Sequence, residues 1–288
     1  AAAMNYALDN DSQRKFYIKN SDDKLIREWA TSDPAAAKAY LDKIPSDHKM
    51  NRHSLHANLV MGMAATDLTG AATYAEENQF GRERGTSIEF LAKSFMAQGE
   101  GALRDWLDGI DVEGGNRRQD YKEYAIAQAT ESLAKESPEK ALAWVEDYLA
   151  EGLVDGRALS AAAQGMVKQD PEGAVDWLMQ VADGRDRSTA LASTISDWAD
   201  NDPNAAGEWL GSQSLTKEMD PAVSAFAREI AREDPESALA WGSVIADEKR
   251  QAETMVRVGR DWIRRDKDAF SNWLGQNEVP EGVAKYFD

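Results

Sequence analysis

The chain has no cysteine among its 288 residues, which excludes disulfides, thiolate metal sites and cysteine nucleophiles. That absence suits a periplasmic or other extracytoplasmic compartment better than a cytoplasmic one. No run approaches the roughly 18 consecutive apolar residues of a membrane span. Ala1 to Asn10 also lack the basic and then apolar pattern of a secretory leader, so the chain reads as soluble. Positive charge is scarce. Lys and Arg number 33 against 51 Asp and Glu, a formal net charge of -18, so the average surface repels phosphate backbones and anionic membranes. Nucleic acid is not an expected partner. Nucleotide chemistry has no foothold either, because Gly81-Arg82-Glu83-Arg84-Gly85-Thr86 lacks a Gly-Lys-Ser/Thr ending and reads as a linking loop. Metalloprotease, serine-hydrolase and calcium-loop spacings are missing as well. No cofactor and no catalysis are expected.

What is present is a repeat. Turn positions Asp33, Asp67, Gly99, Ser137, Asp170, Asp202, Asp234 and Asp266 are spaced by 34, 32, 38, 33, 32, 32 and 32 residues. Seven residues after each of these anchors stands an aromatic: Tyr40, Tyr74, Trp106, Trp144, Trp177, Trp209, Trp241 and Trp273. Four residues before each stands a large apolar side chain: Trp29, Met63, Phe95, Leu133, Met166, Trp198, Ile230 and Trp262. These two columns hold all nine tryptophans, so the rings follow a structural period. Four residues after the anchor the side chain is mostly alanine, with Leu103 and Phe270 the departures.

Helix punctuation explains the unit. Asp-Pro at 33, 170, 202 and 234, with Ser137-Pro138, sets an N-cap acceptor before a proline at the first helical position. Proline also drives the residue before it out of the α region, so the preceding helix ends there. One signal thus stops a longer helix A and starts a shorter helix B. Small residues let the two helices approach, and the aromatic column is expected to seal each hairpin against the next.

The segment Lys168-Gln169-Asp170-Pro171-Glu172-Gly173-Ala174-Val175-Asp176-Trp177-Leu178 resembles the turn and second helix of a tetratricopeptide-type repeat. The array is similar to bacterial proteins built from degenerate Trp-Ala-x-x-Asp-Pro-x-x-Ala-x-x-Trp-Leu units. It departs from the tetratricopeptide pattern in its commonest period, 32 residues rather than about 34, and in lacking Trp-x-x-Leu-Gly-x-x-Tyr in helix A. The resemblance implies an all-α chain, an α-solenoid with a right-handed α-α superhelix of about eight hairpins over residues 21–288. Residues 1–20 would form an arm or capping helix. It also implies protein or peptide binding on the concave face, which helix A lines in that geometry.

Candidate binding residues follow from charge. At nine, six and two residues before the anchors stand ten basic side chains and two acidic ones, a reversal of the whole-chain balance. The densest part is Arg228, Arg232, Arg257, Arg260 and Arg264. These arginines either pair with neighbours such as Glu229 and Asp261 in a solvated network, or they bind an acidic peptide or protein segment. The three histidines are His48, His53 and His56. The spacing of His53 and His56 would allow shared metal ligation on one helical face, but His56 occupies a column filled elsewhere by Ile88, Ile126, Leu159, Leu191 and Val223. It is expected to pack, and no metal is expected. Residues 109–118 insert a turn-rich loop, read as a contact loop or a tolerated extension. Val283, Tyr286 and Phe287 are expected to fold back on the last helix; without that cover the end would be open to self-association by stacking. A carbohydrate-active α/α enzyme is the remaining alternative, weakened by tryptophans locked to the repeat.

Overall fold

The computed structural model describes residues 19–44, 52–78, 84–113, 115–181 and 184–287, and among these the chain is all-helical. Each anchor lies between two helices. Asp33 separates α1 (Lys19–Ser32) from α2 (Pro34–Leu41), and Asp67 separates α3 (Arg52–Met63) from α4 (Leu68–Asn78). Gly99 divides α5 (Arg84–Met96) from α6 (Glu100–Asp108), and Ser137 divides α7 (Asn116–Glu136) from α8 (Pro138–Leu149). Asp170 joins α9 (Gly156–Val167) to α10 (Pro171–Val181), and Asp202 joins α11 (Gly184–Asn201) to α12 (Pro203–Ser212). Asp234 stands between α13 (Asp220–Ile230) and α14 (Pro235–Ser243), Asp266 between α15 (Glu248–Arg265) and α16 (Lys267–Leu274), and a short α17 (Glu281–Ala284) follows. The sequence places an arm at 1–20; residues 1–18 lie outside the described residues.

The hydrogen bonds at the anchor show why one residue serves two helices. Asp202 donates its N–H to the Trp198 carbonyl (2.8 Å), and its own carbonyl accepts from Ala206 N (3.1 Å). Its Oδ1 accepts from Ala205 N at 3.0 Å. The same side-chain cap recurs at Asp33, Asp67, Asp170, Asp234 and Asp266, and through the Ser137 hydroxyl. Gly99 has no side chain to cap with and turns at φ 117, a conformation that favours glycine.

The chain divides into two compact units, Ala1–Ser132 and Leu133–Asp288. In the first, α1 packs on α3 and α3 on α5; in the second, α9 packs on α11, α11 on α13 and α13 on α15. The alanine column closes the hairpins: Ala37, Ala71, Ala141, Ala174, Ala206 and Ala238 are all fully buried. The aromatic column is unevenly covered: Tyr40, Tyr74 and Trp144 are buried. Trp106, Trp177, Trp209, Trp241 and Trp273 are only half-buried. Several rings pair across their own turn. Trp29 meets Tyr40 (5.5 Å between centroids), Phe95 meets Trp106 (4.9 Å), Trp198 meets Trp209 (5.8 Å) and Trp262 meets Trp273 (5.9 Å). The tight turn brings the two columns within ring-to-ring distance, where tilted and stacked pairs are favourable. Contact with the preceding helix B is made where Trp177 Nε1 donates to Glu146 Oε1 at 3.3 Å.

Helices A are joined by a second set of bonds that periodicity did not reveal. Ser54 donates to Asp23, Gln164 to Ser193 and Ser196 to Glu229, and Ser224 bonds Thr254. The inserted loop is tied down by Arg118, whose Nη1 reaches Glu76 (3.1 Å) and Asp111 (3.3 Å). At the C-terminus Val283 is buried and the Phe287 ring stands 4.9 Å from Phe270, so these two residues do fold back, while Tyr286 stays exposed.

Candidate functional site

The cationic candidates sit on α13 and α15, and backbone capture fixes both helices. The buried Asp220 carboxylate accepts from Ala246 N (2.8 Å) and Asp247 N (2.7 Å), which delivers the chain into α15. Asp247 then caps α15 through Arg250 N (3.0 Å). That amide, helped by Lys217, holds the Asp247 carboxyl below its ordinary range. At the other end Arg265 donates to the Ala231 carbonyl (2.7 Å) and to that of Arg232, closing the end of α13. The long side chains project from two anchored rods.

Between α11, α13 and α15 lies an open groove of about 440 Å³ lined by Ser193, Ser196, Asp197, Arg228, Glu229 and Arg257. Arg228 donates Nε to the Ser224 carbonyl at 3.1 Å. Its pKa is lowered by lost hydration first and then by the positive charges of Arg257 and Arg250, with Glu229 opposing. A guanidinium stays charged through such a shift, so Arg257 and Arg250 both repel Arg228 here. Among the described residues no carboxylate forms an ion pair with Arg228, Arg250 or Arg257. The opposite wall holds Asp197, whose pKa is raised by burial and by Asp200 and Glu229 against a hydrogen bond from Gln164.

A second depression of about 660 Å³ runs along α15 past Ala252, Val256, Arg257, Arg260, Arg264 and Tyr286. Arg260 lies 5.7 Å from the Tyr286 ring centre, a cation–π arrangement, and Arg264 pairs with Asp261. Arg257 borders both hollows, so the structure brings Arg228, Arg257, Arg260 and Arg264 into one continuous region. Arg232 stands apart from that stripe, in a hollow of about 560 Å³ that shares Glu229 with the first groove and is also lined by Asp200, Phe226, Glu233, Asp234 and Trp241. The reason is local: α13 ends at Ile230, so Arg232 lies in the turn, off the helical stripe. Arg250 belongs to the cluster and was missed, because it lies sixteen residues before its anchor, outside the sampled stripe.

The solvated-network alternative holds at some positions. Lys24 pairs with Glu28, Lys93 with Glu89 and Arg264 with Asp261, all one helical turn apart.

The chain matches no family model, no curated protein and no solved structure.

The histidines separate cleanly. His56 is buried, with Nδ1 2.8 Å from the Tyr74 hydroxyl, as its packed column implied. The His53 side chain and His48 lie outside the described residues. Among the described residues no group of three His, Asp or Glu is placed to hold a metal ion, and no helix is long and apolar enough to cross a membrane.

Proposed function

We propose that this chain is a non-catalytic interaction scaffold, an α-solenoid of about eight tetratricopeptide-like hairpins, that binds an acidic peptide or protein segment on its helix-A face. The repeated capping at the anchors and the helix-A-to-helix-A packing within each unit support the solenoid reading. The observation that carries the binding reading is the cluster of Arg228, Arg250 and Arg257. In a chain of net charge -18, Arg228 feels the positive charges of both Arg250 and Arg257, and none of the three forms an ion pair among the described residues. A carboxylate-bearing segment would relieve that repulsion and gain charge-assisted, bidentate hydrogen bonds.

The test is affinity capture from the native organism with the wild-type chain and with Arg228→Glu/Arg257→Glu. Wild type should recover an acidic protein or peptide that the double variant loses. Equal recovery by both proteins would refute the assignment.

A further inference from the structure

The packing between successive A helices has a fixed register. Counted back from the anchor, the side of one helix that meets the next is marked by positions three, six, ten and fourteen. At position minus three, Ala30 and Ala134 lie against Gly62 and Gly165 of the following helix A. At minus six, Gln164 donates to Ser193 (3.1 Å) and Ser196 to Glu229 (2.7 Å). At minus ten, Asp23 accepts from Ser54 (2.7 Å) and Ser224 bonds Thr254 (2.8 Å). At minus fourteen, Gly156 donates to Asp186 (2.9 Å) and Asp220 accepts from the start of α15. These spacings follow one helical stripe.

On α15 the same stripe reads Ala252, Val256, Arg260 and Ile263. Phe287 covers it in part, lying over Gly259 next to Ile263. Ala252, Val256 and Arg260 line the open depression of about 660 Å³. Four cations, Lys249, Arg257, Arg260 and Arg264, surround the small apolar seam against two acids; Glu253 pairs with Lys249 and Asp261 with Arg264, which leaves Arg257 and Arg260 as the surplus positive charge.

We propose that this face of α15 takes an acidic amphipathic helix of another protein, docked in the register of the interior helix-A pairs. The inference rests on the scaffold reading above and adds the shape of the partner. Ala252 and Val256 permit close approach, which suits a helix with a small-residue seam. In the interior, the minus-six side chain Ser196 meets the carboxylate of Glu229 on the incoming helix. On α15 that position is Arg260, so a carboxylate arriving in the same register forms a charged pair. A second copy of this chain is disfavoured by its net charge of -18.

The probe is a labelled synthetic peptide of 18 residues, the length of α15, with alanine and leucine along one face and glutamate on both flanks. Its control has the same composition with the apolar residues scattered. Fluorescence anisotropy should show the patterned peptide binding the full chain at least about tenfold more tightly than the control, with comparable weakening in Val256→Asp and in Arg260→Glu. Arg260 is exposed, so its charge reversal reads the face even if Val256→Asp unfolds. Equal binding of the two peptides, absence of binding by both, or unchanged affinity in Arg260→Glu would overturn the proposal. So would concentration-dependent self-association abolished by Arg260→Glu, which would assign the face to a second copy. If this docking fails while Arg228→Glu/Arg257→Glu still abolishes capture, the scaffold reading stands and only the helical partner is lost.

Discussion

Gly62 offers the sharpest test of the spacing between A helices. A Cβ at this position would lie 2.3 Å from the Arg27 carbonyl oxygen and 2.6 Å from Ala30 Cβ. Relaxed carbon–carbon contacts are about 3.5 to 4.0 Å, so Gly62→Ala must push α1 and α3 apart by roughly 1 Å. Overpacking of this kind costs about 1 to 3 kcal/mol, while glycine to alanine inside a helix returns about 1 kcal/mol. Backbone on one side cannot swing away, which puts the cost in the upper part of that range, about 2 to 3 kcal/mol, and leaves a net loss of about 1 to 2 kcal/mol. Gly165→Ala is the matched control. Its Cβ would meet Ala134 Cβ at 3.0 Å and Ala134 O at 3.3 Å, a contact a few tenths of an ångström can relieve. There the helix-propensity gain should roughly cancel the crowding. Urea unfolding followed by far-UV circular dichroism reads both. With a slope of about 2 kcal/mol per molar, the Gly62→Ala midpoint should fall by roughly 0.5 to 1 M while Gly165→Ala stays near wild type. Stabilisation of Gly62→Ala by the full propensity gain would refute the close approach, and with it the helix-A register used above.

Three further outcomes are expected. Asp234→Ala should cost about 1 kcal/mol by removing the cap on Ser237 N, and Asp234→Asn should retain most of it. Hydrogen bonds from Ser237 lower the Asp234 pKa in the fold, so this carboxylate's added stability is present at neutral pH and is lost as pH falls through the folded value. Asp197 has the opposite sign: burial raises its folded pKa, so the fold gains stability as pH falls through that value. Asp197→Asn should therefore raise the urea midpoint at pH 7, with the advantage vanishing in acid; a lower midpoint at pH 7 would contradict this. Tyr121 is buried and its hydroxyl has no hydrogen-bond partner among the described residues. Tyr121→Phe should leave stability unchanged or raise it, and a loss of more than about 1 kcal/mol would count against that environment.

The helix boundaries were legible because their information is local. Asp202-Pro203 declares its stop and start within two residues, and Ala206 betrays close approach by size alone. What lay beyond the reach of the sequence was register between helices. Nothing in the periodicity of Ser196 or Glu229 says that they face each other, since that depends on how far α13 slides along α11. The same blindness hid the pairing of Trp198 with Trp209, which needs the turn geometry as well as the spacing. It also hid the buried role of Asp220, whose carboxylate looks in sequence like another surface acid before a proline. Among the candidate arginines, stripe counting found those on straight helix. It could not show that the helix stops two residues before Arg232, which puts that side chain in the turn, and it passed over Arg250 at the far end of α15.

Binding of acidic partners by the α13–α15 region is the claim on which the functional account depends. Hydrogen–deuterium exchange of the full chain with and without a saturating glutamate-rich partner peptide locates that contact directly. The account predicts added protection concentrated in Asp220–Ile230 and Glu248–Arg265. Protection confined to the B helices, or to residues of the first compact unit, would contradict it.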